Sequence, residues 1–280
     1  KLISDQEDID VKVIVKKGML ADTKSEAIIL TLFEDSKKLT GVALEIDKVS
    51  SGLISDLINS GDFTGRPSQI SVVYTRGSLP AKRIALVGLG KPKDFNLEKL
   101  RNVYASVMRH LRNMGVREAA TSIDFNLLAD DQEKMVQAAV EGALLGLYQY
   151  TPYKTVDRED LKEMAELNIV ADAKDFALVE FNVKKARMIA DAVCFARDLV
   201  SAPSNEMTPS ILAKKAGEVA RRKKLSCRVL DKSRLKKMGM NALLAVAAGS
   251  REEPKLIILE YAGGKKKDAP IVLVGKGLTF

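Results

Sequence analysis

Apolar residues in the first part of the chain mark short extended segments. In some segments they alternate with polar residues, and in others they form short continuous runs, as half-buried and fully buried β-strands do. Segment 10–15 alternates valines with polar residues, whereas 26–32 (EAIILTL) is nearly all apolar. The same signals predict strands over 10–15, 26–32, 70–75, 83–87, 119–125 and 167–171.

Between these strands, apolar residues recur every three or four positions, which is the spacing of one helix face. The helices predicted in this way cover 51–59, 96–115 and 130–148. Asp130 or Asp131 is expected to cap the third of them. Strands that alternate with helices indicate an α/β fold in which a mostly parallel sheet is covered on both faces. We assign this first domain to 1–176.

A longer amphipathic helix is predicted over 182–200. Pro203 follows closely, and a proline disfavours helical backbone at the residue before it, so the helix is expected to end at Ser201-Ala202. Its length is typical of a helix that joins two domains, and we assign 177–200 as this linker.

The pattern from 201 to 280 predicts the opening part of a second α/β domain. Thr208 is a good N-cap residue, and Pro209 suits the first position of the helix that follows. The predicted helices end near 224 and 238, and the predicted strands cover 226–230, 243–247, 256–261 and 271–274. Since so few helices are available to cover these strands, we expect 201–280 to be the beginning of a larger, truncated domain.

Composition excludes several classes of protein. The 280 residues are 46% apolar and 29% charged, as in soluble globular proteins. Apolar runs are too short for a membrane span, and no secretory leader is visible. Cys194 and Cys227 are too few for a disulfide framework, so we expect two packed thiols in a reducing compartment. His110 is the single histidine, which excludes zinc sites of several histidines, and it is predicted to lie on a helix surface.

The charge of +8 is unevenly distributed. Residues 201–280 contain 17 basic and seven acidic residues, whereas 1–200 have a slight acidic excess. A basic block of this kind indicates either a nucleic-acid or acidic partner, or a domain whose acidic complement lies elsewhere. The most basic run, Arg221-Arg222-Lys223-Lys224, has no aromatic residues among its cations, so a solvated helix end is favoured over a platform for single strands.

Two glycine-containing segments follow predicted strands. Gly88-Leu89-Gly90-Lys91 lacks the spacing of a nucleotide-binding loop, and a tight structural turn is favoured there. Lys276 lies between two glycines directly after strand 271–274. Side chains at the carboxyl ends of parallel strands commonly face a functional crevice. A lysine in that position suits a phosphate, a carboxylate or, as a neutral amine, a metal ion, while the flanking glycines also suit an ordinary loop.

Several segments together resemble the leucyl aminopeptidase (cytosol aminopeptidase) family, a group of hexameric peptidases with two metal ions. The first of them is 196–209 (ARDLVSAPSNEMTP), which resembles the junction motif before the catalytic domain. The other similar segments are 61–65 (GDFTG), 84–91 (IALVGLGK), 239–246 (GMNALLAV), 249–250 (GS), 256–261 (LIILEY) and 274–280 (VGKGLTF). The resemblance spans nearly the whole chain and is most specific from 184 onward.

The resemblance implies a macro-domain-like N-terminal unit with a mixed sheet, a long linker helix and the start of an α/β catalytic domain. It also implies a cytoplasmic homo-hexamer that releases N-terminal residues, of the leucine type, from peptides. In the family, one lysine and several carboxylates bind two divalent metal ions, zinc or manganese, and the lysine corresponds to Lys276. Bicarbonate is the expected base. The family's other metal ligands and its catalytic residues have no counterpart in this sequence, so the 280 residues alone are expected to be inactive.

Two alternative functions remain open at this level. One is a DNA-binding accessory or regulatory role, which the basic C-terminal block permits but the acidic excess of 1–200 disfavours. The other is a ligand-binding macro-type module that recognises ADP-ribose, which rests on the predicted fold alone.

Overall fold

The computed structural model describes residues 11–34, 36, 38–128, 131–156, 158–265 and 267–279. Its contacts divide the chain into two compact units, Lys1–Phe195 and Ala196–Phe280. The assigned boundaries at 176 and 200 stay predictions.

The first unit is built on a six-stranded mixed sheet, as predicted. Its strands are β1 (Lys12–Lys17), β2 (Ala27–Leu32), β3 (Ile70–Tyr74), β4 (Arg83–Gly88), β5 (Glu118–Thr121) and β6 (Glu166–Ala171), in the order β1-β6-β5-β2-β4-β3. All neighbouring strands are parallel except β3, which runs antiparallel to β4 at one edge. The predicted strand over 119–125 is too long: after Thr121 the chain turns, and the Asp124 carboxylate accepts a hydrogen bond from the Asn126 N–H at 3.0 Å.

Helices cover both faces of this sheet. They are α1 (Gly41–Val49), α2 (Leu53–Asn59), α3 (Leu97–Asn113), α4 (Gln132–Leu147) and α5 (Phe176–Ser201). The buried residues of α1 and α2 pack on one face, and those of α3, α4 and the first part of α5 pack on the other. The sequence pattern missed α1 and began the linker helix six residues late. No helix in the described part of the chain is long and apolar enough to cross a membrane.

Two of the predicted helix starts have different outcomes. Asn96 caps α3 as its side chain accepts a hydrogen bond from the Lys99 N–H at 3.0 Å. For α4, the candidate Asp130 lies outside the described residues. Asp131 occupies the N-cap position, but its carboxylate accepts from the Lys134 amine instead of from the backbone.

The second unit contains α6 (Pro209–Lys223), β7 (Ser226–Leu230), α7 (Lys232–Lys237), α8 (Asn241–Val246) and β8 (Leu256–Glu260). As predicted, the Thr208 hydroxyl caps α6 by accepting from the Ile211 N–H at 3.3 Å. Strands β7 and β8 form an antiparallel pair.

Two strand predictions in this unit are wrong. Segment 243–247 lies within helix α8 and its C-cap, since alanine and leucine are strong helix formers and a short apolar run does not distinguish helix from strand. Segment 271–274 is not a strand: Ile271 and Leu273 are 92% and 93% exposed, and no described strand is paired with it. A strand requires a hydrogen-bonding neighbour, which the described residues do not provide there.

Candidate functional site

Lys276 is the metal ligand that the family resemblance predicted. It is exposed and lies in an irregular segment after β8, between Gly275 and Gly277. Among the described residues, no three histidines, cysteines or acidic residues are grouped as a metal site requires. One amine does not fit a centre of two divalent ions, each of which needs several oxygen or nitrogen ligands. The role of Lys276 therefore stays a prediction.

Several side chains were predicted to pack in the interior or to lie on the surface, and the structure places them accordingly. Cys194 is buried on α5 and Cys227 is half-buried on β7, and neither is in a disulfide. His110 is exposed in the last turn of α3. The basic run from Arg221 to Lys224 is exposed at the end of α6, where cations complement the helix dipole.

The glycine segment after β4 forms a tight turn, as favoured from the sequence. A Cβ at Gly88 would lie 1.9 Å from the Arg66 carbonyl oxygen. The Gly90 N–H donates to the Gly65 carbonyl, and the Gly90 carbonyl accepts from the Glu34 N–H, both at 2.9 Å. Because these backbone groups are already bonded, the turn does not offer them to a phosphate.

The first unit contains a cleft that the sequence analysis did not anticipate. Its volume is about 420 Å³. Its lining includes residues 30–33 at the end of β2, 122–127 after β5 and 169–172 at the end of β6. The cleft lies at the carboxyl edge of the sheet, at the point where the strand order reverses. From β2 the chain continues through α1 and α2 to β3 on one side of this point, whereas from β5 it continues through α4 to β6 on the other side. Ligand sites of open α/β sheets form at such a switch point. We refer to it as the carboxyl-edge cleft.

A buried hydrogen-bond network lies at the end of β5, next to the cleft. The Tyr104 hydroxyl on α3 is 3.0 Å from Oγ1 of Thr121, which also donates to the Ile29 carbonyl at 3.2 Å. Burial raises the pKa of Tyr104 to about 12. The phenol is therefore a neutral structural group that holds Thr121, the last residue of β5, against β2.

Among the described residues that line the cleft, carboxylates outnumber amines. Its acidic lining residues are Glu45, Asp124, Asp172 and Asp175, and its basic ones are Lys38 and Lys174. Lys174 and Asp175 lie 3.9 Å apart, at the limit of an ion pair. Asp172 is exposed and directly follows β6. The rule that singled out Lys276, a charged residue right after a predicted strand, would also have identified Asp172.

Comparison with known proteins identifies the class to which this fold belongs. The model for the cytosol aminopeptidase family's N-terminal domain matches residues 29–157, and the model for its catalytic domain matches 194–280. Together they account for most of the chain. The protein belongs to the cytosol aminopeptidase family.

Curated relatives agree with this assignment. The chain is 42% identical over 241 residues to a probable cytosol aminopeptidase of Geotalea uraniireducens, covering 84% of the chain and 48% of the relative. It is 34% identical to the cytosol aminopeptidase of Pseudomonas aeruginosa, covering 94% and 54%. The chain thus spans about half the length of the curated relatives it matches.

Solved structures show the same fold. A mutant of tomato leucine aminopeptidase matches with a TM-score of 0.76 at 22% identity, covering 89% of this chain and 50% of that one. The bottromycin maturation enzyme BotP, solved in complex with Mn, matches with a TM-score of 0.64 at 25% identity, covering 85% and 45%. The predicted α/β architecture and family resemblance are confirmed.

Proposed function

We propose that this chain forms the N-terminal half of a metal-dependent, leucine-type aminopeptidase that acts in the cytoplasm on peptide N-termini. The main support is the junction motif 196–209. It folds as the end of α5, a turn and the Thr208-capped start of α6, and the catalytic-domain match begins just before it. The names of the curated relatives agree with this activity.

Within this proposal, Lys276 supplies one amine ligand to a centre of two divalent ions, manganese or zinc. Such ions polarise a scissile carbonyl and activate water. The described residues do not fit the centre by themselves, since they contribute this amine without the grouped carboxylates that the ions need. No catalytic residue of this chain is assigned, and any bicarbonate base would be held by groups outside it.

The proposal is tested by assaying leucine arylamide hydrolysis with added Mn²⁺ or Zn²⁺. The complete protein is expected to hydrolyse the substrate, and the 280-residue chain is expected to give the rate of the blank. Metal-dependent turnover by the 280 residues alone would contradict the assignment of the chain to an incomplete site. A complete protein that is inactive with both Mn²⁺ and Zn²⁺ would contradict the proposed function.

We also propose that the complete protein assembles as a homo-hexamer, which rests on the family resemblance. Light scattering coupled to size-exclusion chromatography measures the mass of the assembly directly. A mass of six chains supports the proposal, and a monomer or dimer at micromolar concentration contradicts it.

A further inference from the structure

The carboxyl-edge cleft exists because β5 is shorter than both of its neighbours. The last residue of β5, Thr121, pairs with Ile29 on one side and with Ile169 on the other. Beyond these pairs, β2 continues to Leu32 and β6 continues to Ala171, and among the described strands each of these ends is bonded only to its outer neighbour. The sheet therefore has a gap one strand wide at its carboxyl edge, about 9.5 Å across from the usual strand spacing.

Both sides of this gap are strand edges with no paired strand among the described residues. Residues 30–32 of β2 and 170–171 of β6 line the cleft, and a parallel strand directs half of its backbone N–H and C=O groups to each side. Extended peptides commonly bind proteins by adding to such an edge, where backbone bonds provide affinity and side-chain pockets provide specificity. Here two facing edges are available to a single extended segment.

The walls and the rim of the cleft favour particular side chains and charges. Leu32, Phe33, Ile123, Phe125 and Leu127 provide apolar surface. The excess of carboxylates among the described residues of the rim attracts an ammonium group and repels phosphate. The volume of about 420 Å³ lies within the usual range for small-ligand sites, about 300–1,000 Å³.

We propose that the carboxyl-edge cleft binds the free N-terminal end of a short apolar peptide in an extended conformation. The first peptide groups bond to the exposed edges of β2 and β6, the first side chain packs against the apolar wall, and the α-ammonium lies near Asp172. The cleft is lined by residues of the first unit alone, whereas the proposed function rests on the family match and on Lys276, so either proposal can fail without the other.

Calorimetric titration of the 280-residue chain with trileucine tests this proposal. EDTA is included to prevent cleavage, and mass spectrometry checks that the peptide stays intact. We expect saturable binding of trileucine, and binding at least about tenfold weaker for N-acetyl-trileucine, which lacks the ammonium group. No binding of trileucine, equal binding of both peptides, or displacement of trileucine by ADP-ribose would overturn the proposal.

Three variants assign the binding to the cleft. Asp172→Asn removes a rim charge at nearly constant shape and is expected to weaken trileucine binding about tenfold. Asp56→Asn is the matched control, since Asp56 is an exposed carboxylate on α2 outside the cleft. The affinity of this variant for trileucine should be unchanged. Ser122→Phe places a ring in the gap and should abolish binding while the thermal melting curve stays cooperative. Unchanged affinity in folded Asp172→Asn and Ser122→Phe would overturn the proposal.

Discussion

The Arg101 guanidinium donates two hydrogen bonds to Oε2 of Glu141, at 3.0 Å from Nε and 2.8 Å from Nη2, and so joins α3 to α4. The Glu141 side chain is only 10% exposed, whereas that of Arg101 is 31% exposed. Removing the arginine would leave a nearly buried carboxylate without its ion-pair partner, which is the costly way to break such a pair.

Arg101→Ala is therefore expected to lower the free energy of unfolding by about 2 kcal/mol, below the range for fully buried pairs because the guanidinium is partly exposed. Urea unfolding followed by circular dichroism measures the change. Lys134→Ala is the control, since its pair with Asp131 is exposed and should contribute little. An Arg101→Ala protein as stable as wild type would show that the pair does not stabilise the unit.

Helices α3 and α4 also approach each other closely at a glycine. A Cβ at Gly142 would lie 2.1 Å from the Arg101 carbonyl oxygen, so Gly142→Ala forces the helices apart. We expect this substitution to lower the free energy of unfolding by about 1–3 kcal/mol. Gly217→Ala on α6 is the matched control: nothing lies within 4 Å of its added Cβ, and removing a helical glycine there should stabilise by about 0.5–1 kcal/mol. Equal effects of the two substitutions would contradict the close packing.

The raised pKa of Tyr104, about 12 in the folded protein, makes the stability of the protein depend on alkaline pH. An unfolded tyrosine ionises near pH 10, so from pH 10 to 12 the unfolded state releases a proton that the folded state retains. Stability falls as the pH rises through that window, by up to about 3 kcal/mol from this residue. Tyr104→Phe should show a shallower decline in urea midpoints between pH 9 and 11, and an identical slope would refute this account.

The Glu26 carboxylate is expected to make the stability of the protein fall as the pH is lowered, which is the opposite of the effect of Tyr104. The Arg117 backbone N–H donates to its carboxylate at 2.7 Å, and this bond lowers the pKa of Glu26. A carboxylate with a lowered folded pKa contributes stability above its unfolded pKa near 4.5, and that contribution is lost as the pH falls through the folded value. Glu26→Gln should be less stable than wild type at pH 7 and approach it at pH 3. A constant difference across this range would count against the bond.

Lys276 is tested in the complete protein. Lys276→Ala is expected to lower metal affinity and arylamide hydrolysis by orders of magnitude, because it removes a proposed ligand. Lys267→Ala is the control, since Lys267 is exposed and lies outside the 274–280 segment. Near-normal turnover of Lys276→Ala at limiting metal would refute its role as a ligand.

Local chemistry was sufficient for much of the fold. Thr208 was predicted as a cap, and the helix beginning at Asn96 was predicted, because a short polar side chain before an apolar-periodic segment bonds to free N–H groups within the same helix. Strands β2 and β4 were found because a buried parallel strand is nearly all apolar. The motif 196–209 and the segments around it were sufficient to indicate the family, which the two domain matches confirm.

Other features depend on contacts between distant segments. The apolar runs 243–247 and 271–274 look alike in sequence, yet the first lies in helix α8 and its C-cap while the second is unpaired and exposed, because a strand forms only where a neighbour bonds to it. Likewise, the length of β5 relative to β2 and β6 follows from the register at Thr121. The sequence by itself determined the six strands of the first sheet, most of the helices between them and the family. Only the tertiary structure decided the carboxyl-edge cleft, because that site is a gap between strands far apart along the chain.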